Sequence, residues 1–383
     1  MFKHSPVLRL LALAAVFLAG LGAMPHPGAA FESRAREALL IDATTGTVLL
    51  EKDSHRPMPP ASMSKIMTVY LAFEALKDGR LSLDDKLMVS EKAWRMGGSK
   101  MFVEVGKEVR VEDLLRGVIV QSGNDACIVL AEGLAGSEEA FAELMNRKAA
   151  ELGMNDSSFA NSTGWPHPEQ RMSPRDLATL ALRTIADFPD YYHYYAETNF
   201  TFTKIKQGNR NPLLYKNVGA DGLKTGHTEE AGYGLTGSAV QDGRRLIVVV
   251  NGLKSMKERG NEAQSLINWG FREFDNYSLF AAGETVEEAP VWQGVVKTVP
   301  LVLAEDLEVT LPRKSRKKMT VSVRHDGPIP TPIEEGQEVA TLVVAAPGAE
   351  TVEVPLQAGA SVERLGLLGR FISNVKHLVL GGS

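Results

Sequence analysis

Cysteine is almost absent from this sequence. Among its 383 residues the only thiol is that of Cys127, so no intramolecular disulfide bond can form and the chain must be stabilised by packing. Cys127 lies in the apolar stretch from Ala126 to Leu130, where a cysteine is usually a small buried hydrophobic residue. A cysteine nucleophile is therefore not expected.

The N-terminal apolar run is too short to cross a membrane. It extends from Leu10 to Leu21, whereas a spanning helix needs ~20 apolar residues. Basic residues precede the run and the small residues Gly28 to Ala30 follow it, a pattern typical of a secretory signal. We predict a signal peptide over residues 1–30 and an exported protein; the alternative is an uncleaved N-terminal anchor.

Positive charge is not in excess. The formal net charge is −5 at pH 7, which argues against nucleic acid as the principal partner. The length exceeds the ~100–200 residues that are usual for one domain, and 44% of the residues are hydrophobic. Two folded units are therefore expected.

Local patterns predict an α+β first unit over residues 31–276. Apolar spacing predicts a helix from Ser62 to Leu76, and the region from Val111 to Gly136 predicts two helices interrupted at Ser122, Gly123 and Asn124. The remaining predicted elements are a hairpin (Glu37 to Glu51), three strands (Asp221 to Thr225, Tyr233 to Val240, Arg244 to Asn251) and a helix (Lys257 to Phe274). This order indicates one antiparallel sheet, made from both ends of the unit and flanked by helices.

The rest of the chain predicts a small all-β domain over residues 277–358 and an amphipathic helix over residues 359–383. The β domain contains the basic run Arg313 to Lys318, for which a solvated loop or strand edge and an acidic-surface contact are both possible interpretations. In the tail, one apolar helical face is expected from Val362, Leu365, Leu368, Phe371, Ile372, Val375 and Val379. We expect this helix to bind a membrane surface peripherally; the alternative is a helix docked on the β domain.

Three short motifs carry the chemistry, and the first is Ser62-Met63-Ser64-Lys65. On a helix, the spacing of three residues brings Lys65 beside Ser62, where a neutral lysine amine would activate the hydroxyl as a nucleophile. Burial and a second cation, Lys224, are expected to lower the pKa of Lys65.

The second and third motifs supply the groups around the nucleophile. In Ser122-Gly123-Asn124, Ser122 is a candidate proton relay and Asn124 a candidate hydrogen-bond partner of Lys65 or of the substrate amide. Lys224, Thr225 and Gly226 are expected at a strand end, where Gly226 allows close backbone approach and the two side chains bind a carboxylate. His227 is expected to have a structural or substrate-positioning role.

These motifs resemble the signatures of the low-molecular-mass penicillin-binding D-alanyl-D-alanine carboxypeptidases, which share the β-lactamase/transpeptidase-like fold. The resemblance extends through the contexts P-P-A-S-M-S-K, Q-S-G-N-D-A and D-G-L-K-T-G-H-T-E-E-A-G-Y. It implies removal of the terminal D-alanine from peptidoglycan pentapeptide stems through an acyl-enzyme on Ser62, at the periplasmic face of the cytoplasmic membrane. It also implies acylation by β-lactams, an oxyanion hole from the N–H groups of Ser62 and His227, and a carboxylate pocket near Arg210 and Arg259. No cofactor or metal ion is expected.

Three other functions compete with this interpretation. A class A β-lactamase shares two motifs, but it normally has S-D-N and a deacylating glutamate, for which we find no convincing counterpart. A wall-binding protein would not need a nucleophile beside a base. A DD-endopeptidase cleaves a bond of the same type and cannot be separated by sequence.

Overall fold

The structure, a computed structural model, describes residues 31–380, with side chains described through residue 375. The predicted signal peptide, residues 1–30, lies outside the described residues, as do residues 381–383. The helices are α1 Lys65–Lys77, α2 Glu91–Arg95, α3 Val111–Ile119, α4 Asn124–Ala135, α5 Glu138–Glu151, α6 Pro174–Asp187, α7 Pro189–Tyr192, α8 Met256–Glu273 and α9 Leu367–Leu380.

The strands fall into two groups along the chain. Before α8 they are β1 Glu37–Asp42, β2 Val48–Lys52, β3 Lys86–Met88, β4 Glu108–Arg110, β5 Asn199–Phe202, β6 Ile205–Gly208, β7 Ala220–Thr228, β8 Gly232–Gln241 and β9 Arg244–Leu253. After α8 they are β10 Phe274–Phe280, β11 Thr285–Trp292, β12 Thr298–Val302, β13 Leu307–Pro312, β14 Thr320–Arg324, β15 Ile329–Pro330, β16 Glu338–Ala345 and β17 Val352–Ala358.

One antiparallel sheet organises the first unit, in the order β2-β1-β9-β8-β7. Strands from both ends of the unit meet where β1 pairs with β9, with Ile41 opposite Ile247, so the predicted sheet is confirmed. The strand β7 is the outer one, and its pairing with β8 places Lys224 opposite Thr236 and Gly226 opposite Gly234. An unpaired strand edge therefore borders the region of the motifs.

Helices α1 and α4 form the centre of the core. Residues 65–73 of α1 and residues 124–131 of α4 are all buried, which suits helices that are apolar on nearly every side. Cys127 is fully buried in α4, as its apolar surroundings predict. Lys65 of the first motif and Asn124 of the second are the first residues of these two buried helices.

The second unit is a β domain made of two sheets. Strands β10 and β13 pair with each other, and a six-stranded sheet has the order β14-β16-β17-β12-β11-β15. The basic run Arg313–Lys318 forms a 3₁₀ turn after β13, in which Arg313 pairs with Asp275 at 2.8 Å and Lys314 with Glu273 at 3.6 Å. Part of the positive charge of this run is therefore balanced by neighbouring acids.

The amphipathic tail differs from the prediction at its beginning. Helix α9 starts at Leu367, whereas Val362 is 2% exposed, pairs with Ile333 and belongs to the core of the β domain. The expectation that Val362 and Leu365 form part of the helical face is wrong, because the chain is not yet helical at either residue. Within residues 31–380, no helix is long and apolar enough to cross a membrane.

Candidate active site

The first motif lies where a 3₁₀ turn, Ala61–Ser64, continues into α1. Lys65 is fully buried, and its Nζ donates to Ser62 Oγ at 2.8 Å and also to the carbonyl oxygen of Thr163. Thr163 can come so close because Gly164 follows it: a Cβ on Gly164 would lie 2.0 Å from the carbonyl oxygen of Ala61. The spacing predicted from sequence therefore joins a partly exposed hydroxyl to a buried amine.

The second motif lies in the break between α3 and α4. Ser122 has φ of +60°, a left-handed conformation that is uncommon for a serine, and it is 2% exposed. Its Oγ accepts a hydrogen bond of 2.9 Å from Lys224 Nζ, which also donates to the carbonyl oxygen of Thr225 at 3.2 Å. The second and third motifs are thus in direct contact.

The third motif lies within a strand, not at a strand end. Residues 224–226 are in the middle of β7, which continues to Thr228 before the turn to β8. The strand-end prediction is wrong because pairing with β8 extends the strand through Gly226 and His227. The close approach expected at Gly226 is present, since a Cβ there would lie 2.7 Å from the carbonyl oxygen of Pro60.

Asn124 supports a neighbouring segment of the chain. Its side-chain amide donates to the carbonyl oxygen of Gly97 at 2.8 Å, rather than to Lys65 as one prediction had it. The adjacent Asp125 is fully buried and accepts backbone N–H groups of Met101, Phe102 and Val103 at 2.9–3.2 Å. The start of α4 therefore fixes residues 97–103 beside the motifs.

The remaining candidates lie around β7. Arg210 is exposed and donates to Ser99 Oγ. Arg259 of α8 is 5% exposed, lies under the ring of Tyr233 at 5.8 Å and approaches the carbonyl oxygen of Gly226 at 3.4 Å. The exposed ring of His227 stacks on Tyr233 at 3.9 Å. Both arginines are close enough for their charges to act on Lys224 of this strand.

Burial controls the ionisation of both lysines. Burial lowers the pKa of Lys65 to about 8, with a further lowering by the charge of Arg210. The pKa of Lys224 is well below its usual range, first because of burial and then because of the charges of Lys65 and Arg210. Burial also raises the pKa of the Cys127 thiol to about 12 and lowers the pKa of Arg259 to about 10. Burial thus raises the neutral fraction of the amine next to each serine.

Comparison with known proteins identifies the family. The family described as D-alanyl-D-alanine carboxypeptidase matches residues 24–255, and the C-terminal domain of penicillin-binding protein 5 matches residues 274–364. The chain belongs to the D-alanyl-D-alanine carboxypeptidase family. It is therefore a serine peptidase with carboxypeptidase activity, and inhibition by β-lactams is typical of such penicillin-binding proteins.

Relatives of this carboxypeptidase match over most of its length. It is 40% identical to D-alanyl-D-alanine carboxypeptidase DacC of Escherichia coli, over 88% of this chain and 86% of that protein. The structure of penicillin-binding protein 5 from Haemophilus influenzae has a TM-score of 0.79 at 35% identity, covering 90% of this chain and 100% of that one. Penicillin-binding protein D2 from Listeria monocytogenes in its ampicillin-bound form has a TM-score of 0.58 at 30% identity, covering 63% and 98%.

Two parts of the carboxypeptidase site were not identified from sequence. Thr163 acts through its backbone carbonyl, so its side chain gives no signal of a contact with Lys65. Asp125 stands inside the quoted stretch Q-S-G-N-D-A, and an acid directly after a helix start is a signal that backbone N–H groups are nearby.

Proposed function

We propose that this carboxypeptidase removes the terminal D-alanine from pentapeptide stems of peptidoglycan through an acyl-enzyme on Ser62. The observation that carries the proposal is the contact of 2.8 Å between Lys65 Nζ and Ser62 Oγ, made by an amine whose pKa is lowered to about 8. A neutral amine accepts the hydroxyl proton as the oxygen attacks, which is the requirement for a serine nucleophile.

Lys65 is oriented for this transfer by its second partner. When the amine is neutral it has two N–H bonds and one lone pair. One N–H donates to the carbonyl oxygen of Thr163, which leaves the lone pair free to face Ser62 Oγ. The base is therefore positioned before the substrate arrives, and no reorganisation is needed at the moment of attack.

Ser122 and Lys224 are proposed to deliver a proton to the leaving amine. In acylation the bond from Ser62 Oγ to the carbonyl carbon forms, the C–N bond to the terminal D-alanine breaks, and the departing nitrogen gains one proton. The Oγ of Ser122, which lies 2.9 Å from Lys224 Nζ, gives its proton to this nitrogen. The lysines then return a proton to Ser122. Water then hydrolyses the ester by the same groups in reverse order.

The outer edge of β7 is proposed to bind the extended end of the stem. Lys224 and Thr225 receive the terminal carboxylate, whose negative charge favours the charged form of Lys224. Arg210 and Arg259 add positive charge near the carboxylate, and Asn124 and Gly226 shape the site. The backbone N–H groups of Ser62 and His227 form the oxyanion hole, which stabilises the negative charge on the reacting carbonyl oxygen. β-Lactams would acylate Ser62 in the same position.

We further propose that the protein is exported and works outside the cytoplasm, with residues 1–30 as its signal peptide and α9 as a peripheral membrane contact. Apolar side chains of α9 are exposed, among them Phe371 at 67% and Ile372 at 48%, while Asn374 bonds to Gln293 of the β domain at 2.7 Å. The apolar face is thus available to a lipid surface. We propose residues 31–276 as the catalytic domain and extend the β domain past the predicted residue 358, because Val362 lies in its core, so the tail helix is α9 from Leu367.

Co-sedimentation of the mature protein with phosphatidylethanolamine–phosphatidylglycerol vesicles tests the tail. We expect binding by the wild type and loss of most binding in the double variant Phe371→Ser and Ile372→Ser. Replacement of Val321 by Ser in the β domain, where this apolar side chain is 40% exposed, is the control. Unchanged vesicle binding in the double variant would contradict the anchor.

Release of D-alanine from a pentapeptide ending in D-Ala-D-Ala tests the activity. The wild type is expected to release D-alanine, and Ser62→Ala to release none while keeping the same melting temperature. Cleavage of cross-linked dimers without release from pentapeptides would instead favour an endopeptidase. Rapid hydrolysis of penicillin without D-alanine release would favour a β-lactamase.

A further inference from the structure

An exposed aromatic ring stands next to the active site on a strained backbone. Phe102 has φ of +70°, a left-handed conformation that is rare for a bulky residue, and its side chain is 48% exposed. Its two neighbours in the chain, Met101 and Val103, are buried and belong to the core. The backbone thus presents the ring to solvent between two core residues.

The strained conformation is held by the fully buried carboxylate of Asp125. This carboxylate accepts the backbone N–H groups of Met101, Phe102 and Val103 at 2.9–3.2 Å. Left-handed conformations of residues other than glycine persist only where the surrounding structure imposes them, and they are frequent at ligand sites. Full burial of the ring does not offset the strain at Phe102, which points to a contact of the ring with a molecule outside the chain.

The segment 97–103 that carries this ring lies against the second motif. The carbonyl oxygen of Ser99 accepts the backbone N–H of Asn124 at 2.7 Å. A Cβ on Gly123 would lie 3.2 Å from the backbone nitrogen of Met101, the residue before Phe102. The ring therefore stands at the rim of the active site and is not one of the groups assigned to the reaction.

A second exposed ring, that of Trp165, rests on the same segment. A Cβ on Gly98 would lie 3.0 Å from Cζ3 of this indole, which is 46% exposed. The backbone N–H and carbonyl of Trp165 are both held by the side chain of Asn161 at 3.0 Å. Four residues separate Gly98 from Phe102, so the two positions are at most about 14 Å apart. We call Phe102 and Trp165 the aromatic rim.

The chemistry of the rim suits an uncharged ligand with flat apolar faces. Residues 97–105 contain one positive charge, Lys100, and one negative charge, Glu104, so they have no net charge that would select an ionic ligand. The face of an aromatic ring is electron-rich, and the C–H groups on the face of a sugar ring are its complement. Two separate rings on one segment fit a chain of linked sugars, which presents such a face repeatedly.

We propose that the aromatic rim binds the glycan chain of peptidoglycan, with sugar rings stacked on Phe102 and Trp165. This inference rests on the proposed function, because the stems that this enzyme cleaves are joined to such a chain. A bound glycan raises the local concentration of its own stems at Ser62. The benefit is therefore expected in KM for glycan-linked stems and not in kcat.

The first test measures KM for D-alanine release from a free pentapeptide and from the same pentapeptide attached to glycan strands. For the wild type we expect the lower KM on the glycan-linked substrate. Phe102→Gly should raise that KM about tenfold, the loss of one stacking contact, and leave kcat and the KM of the free pentapeptide unchanged. Trp165→Leu should act in the same direction, whereas Phe102→Tyr, which keeps the ring, should behave as the wild type.

The second test is direct binding of glycan strands from which an amidase has removed the stems, measured by isothermal titration calorimetry. We expect binding by the wild type and by Phe102→Tyr, and binding about tenfold weaker in Phe102→Gly. This measurement does not depend on turnover. Wild-type affinity in both Phe102→Gly and Trp165→Leu would overturn the proposal.

Glycine at position 102 also separates binding from packing. It adopts the left-handed conformation without strain, so Phe102→Gly should have a melting temperature no lower than the wild type. Asp242→Gly is the matched control, since Asp242 has φ of +50° in the turn between β8 and β9, at the end of β8 away from Tyr233. It should leave both KM values and glycan binding unchanged.

Acylation by benzylpenicillin distinguishes failure of this inference from failure of the proposed function. It involves no glycan, so Phe102→Gly should acylate at the wild-type rate. A lower melting temperature with equal losses on both substrates would assign the ring to packing, and equal losses at an unchanged melting temperature would assign it to the peptide. Either result overturns the glycan assignment, whereas a wild type that is not acylated and releases no D-alanine would overturn the proposed function itself.

Discussion

The lowered pKa of Lys65 predicts how acylation depends on pH. Full burial lowers this pKa from the ordinary lysine value of 10.5 to about 8. At pH 7 the neutral fraction of the amine then rises from about 0.03% to about 9%, a gain of roughly 300-fold in the form that accepts a proton. Burial of one side chain thus provides a large part of the activation of Ser62.

The assay is the limiting rate of acylation by saturating penicillin, measured between about pH 6 and about pH 10. Because only the neutral amine of Lys65 acts as a base, the acylation rate should increase with pH. The increase should be about tenfold per pH unit while Lys65 is mostly protonated, and the rate should level off above about pH 8. Because the charge of Arg210 contributes to the lowering, Arg210→Gln should raise the pKa of Lys65 and move this rise to higher pH.

Three results would refute the reasoning on Lys65. A rate that does not change between about pH 6 and about pH 9 would mean that no group with this pKa limits acylation. A rise centred near the ordinary lysine value of 10.5 would mean that burial does not depress the pKa. A rise that moves to lower pH in Arg210→Gln would contradict the sign of the electrostatic effect.

Three further predictions concern close or buried contacts, two at the site and one at the ends of β1 and β9. Gly226→Ala places a Cβ 2.7 Å from the carbonyl oxygen of Pro60 and should lower the acylation rate at least tenfold, with a loss of about 1–3 kcal/mol in stability by urea denaturation. Asp125→Ala leaves the buried N–H groups of Met101 and Val103 and the part-buried N–H of Phe102 unpaired, and should lower the free energy of unfolding by about 2–4 kcal/mol. Asp42→Ala removes the partner that lies 2.6 Å from the buried Arg244 and should cost about 3–5 kcal/mol in the same assay.

A specific result would contradict each of these three predictions. The control for Gly226→Ala is Gly366→Ala, where a Cβ would meet no atom within 4 Å, and equal effects of the two would refute the steric argument. Wild-type stability of Asp125→Ala would show that residues 97–103 are held by other contacts. If Asp42→Ala and the double variant Asp42→Ala with Arg244→Met were equally unstable, an unpaired buried charge would not be the cause.

The arrangement of the sheet and the three motifs could be predicted because each depends on local pattern. Short β-rich runs separated by Gly-containing turns indicate β1, β8 and β9, and the spacing from Ser62 to Lys65 alone places two side chains together on a helical turn. The chemical type of the two side chains then limits what a serine next to a buried lysine can do. The β domain was likewise indicated by a change in composition.

The parts that were missed depend on tertiary contacts. Gly226 and His227 resemble turn residues, and only pairing with β8 keeps them in the strand. Val362 has the spacing of the apolar helical face, but its pairing with Ile333 keeps it extended. The amide of Asn124 is bound by a carbonyl that lies 27 residues away in the chain. None of these partners can be identified from periodicity.

The most direct test of the central claim is to locate the acyl group. The mature protein is incubated with benzylpenicillin, its intact mass is measured, and the adduct is mapped by proteolysis and mass spectrometry, beside Ser62→Ala. We predict one adduct, on the peptide that contains Ser62, and none in the variant. An adduct on any other peptide, or one that persists in Ser62→Ala, would contradict the account.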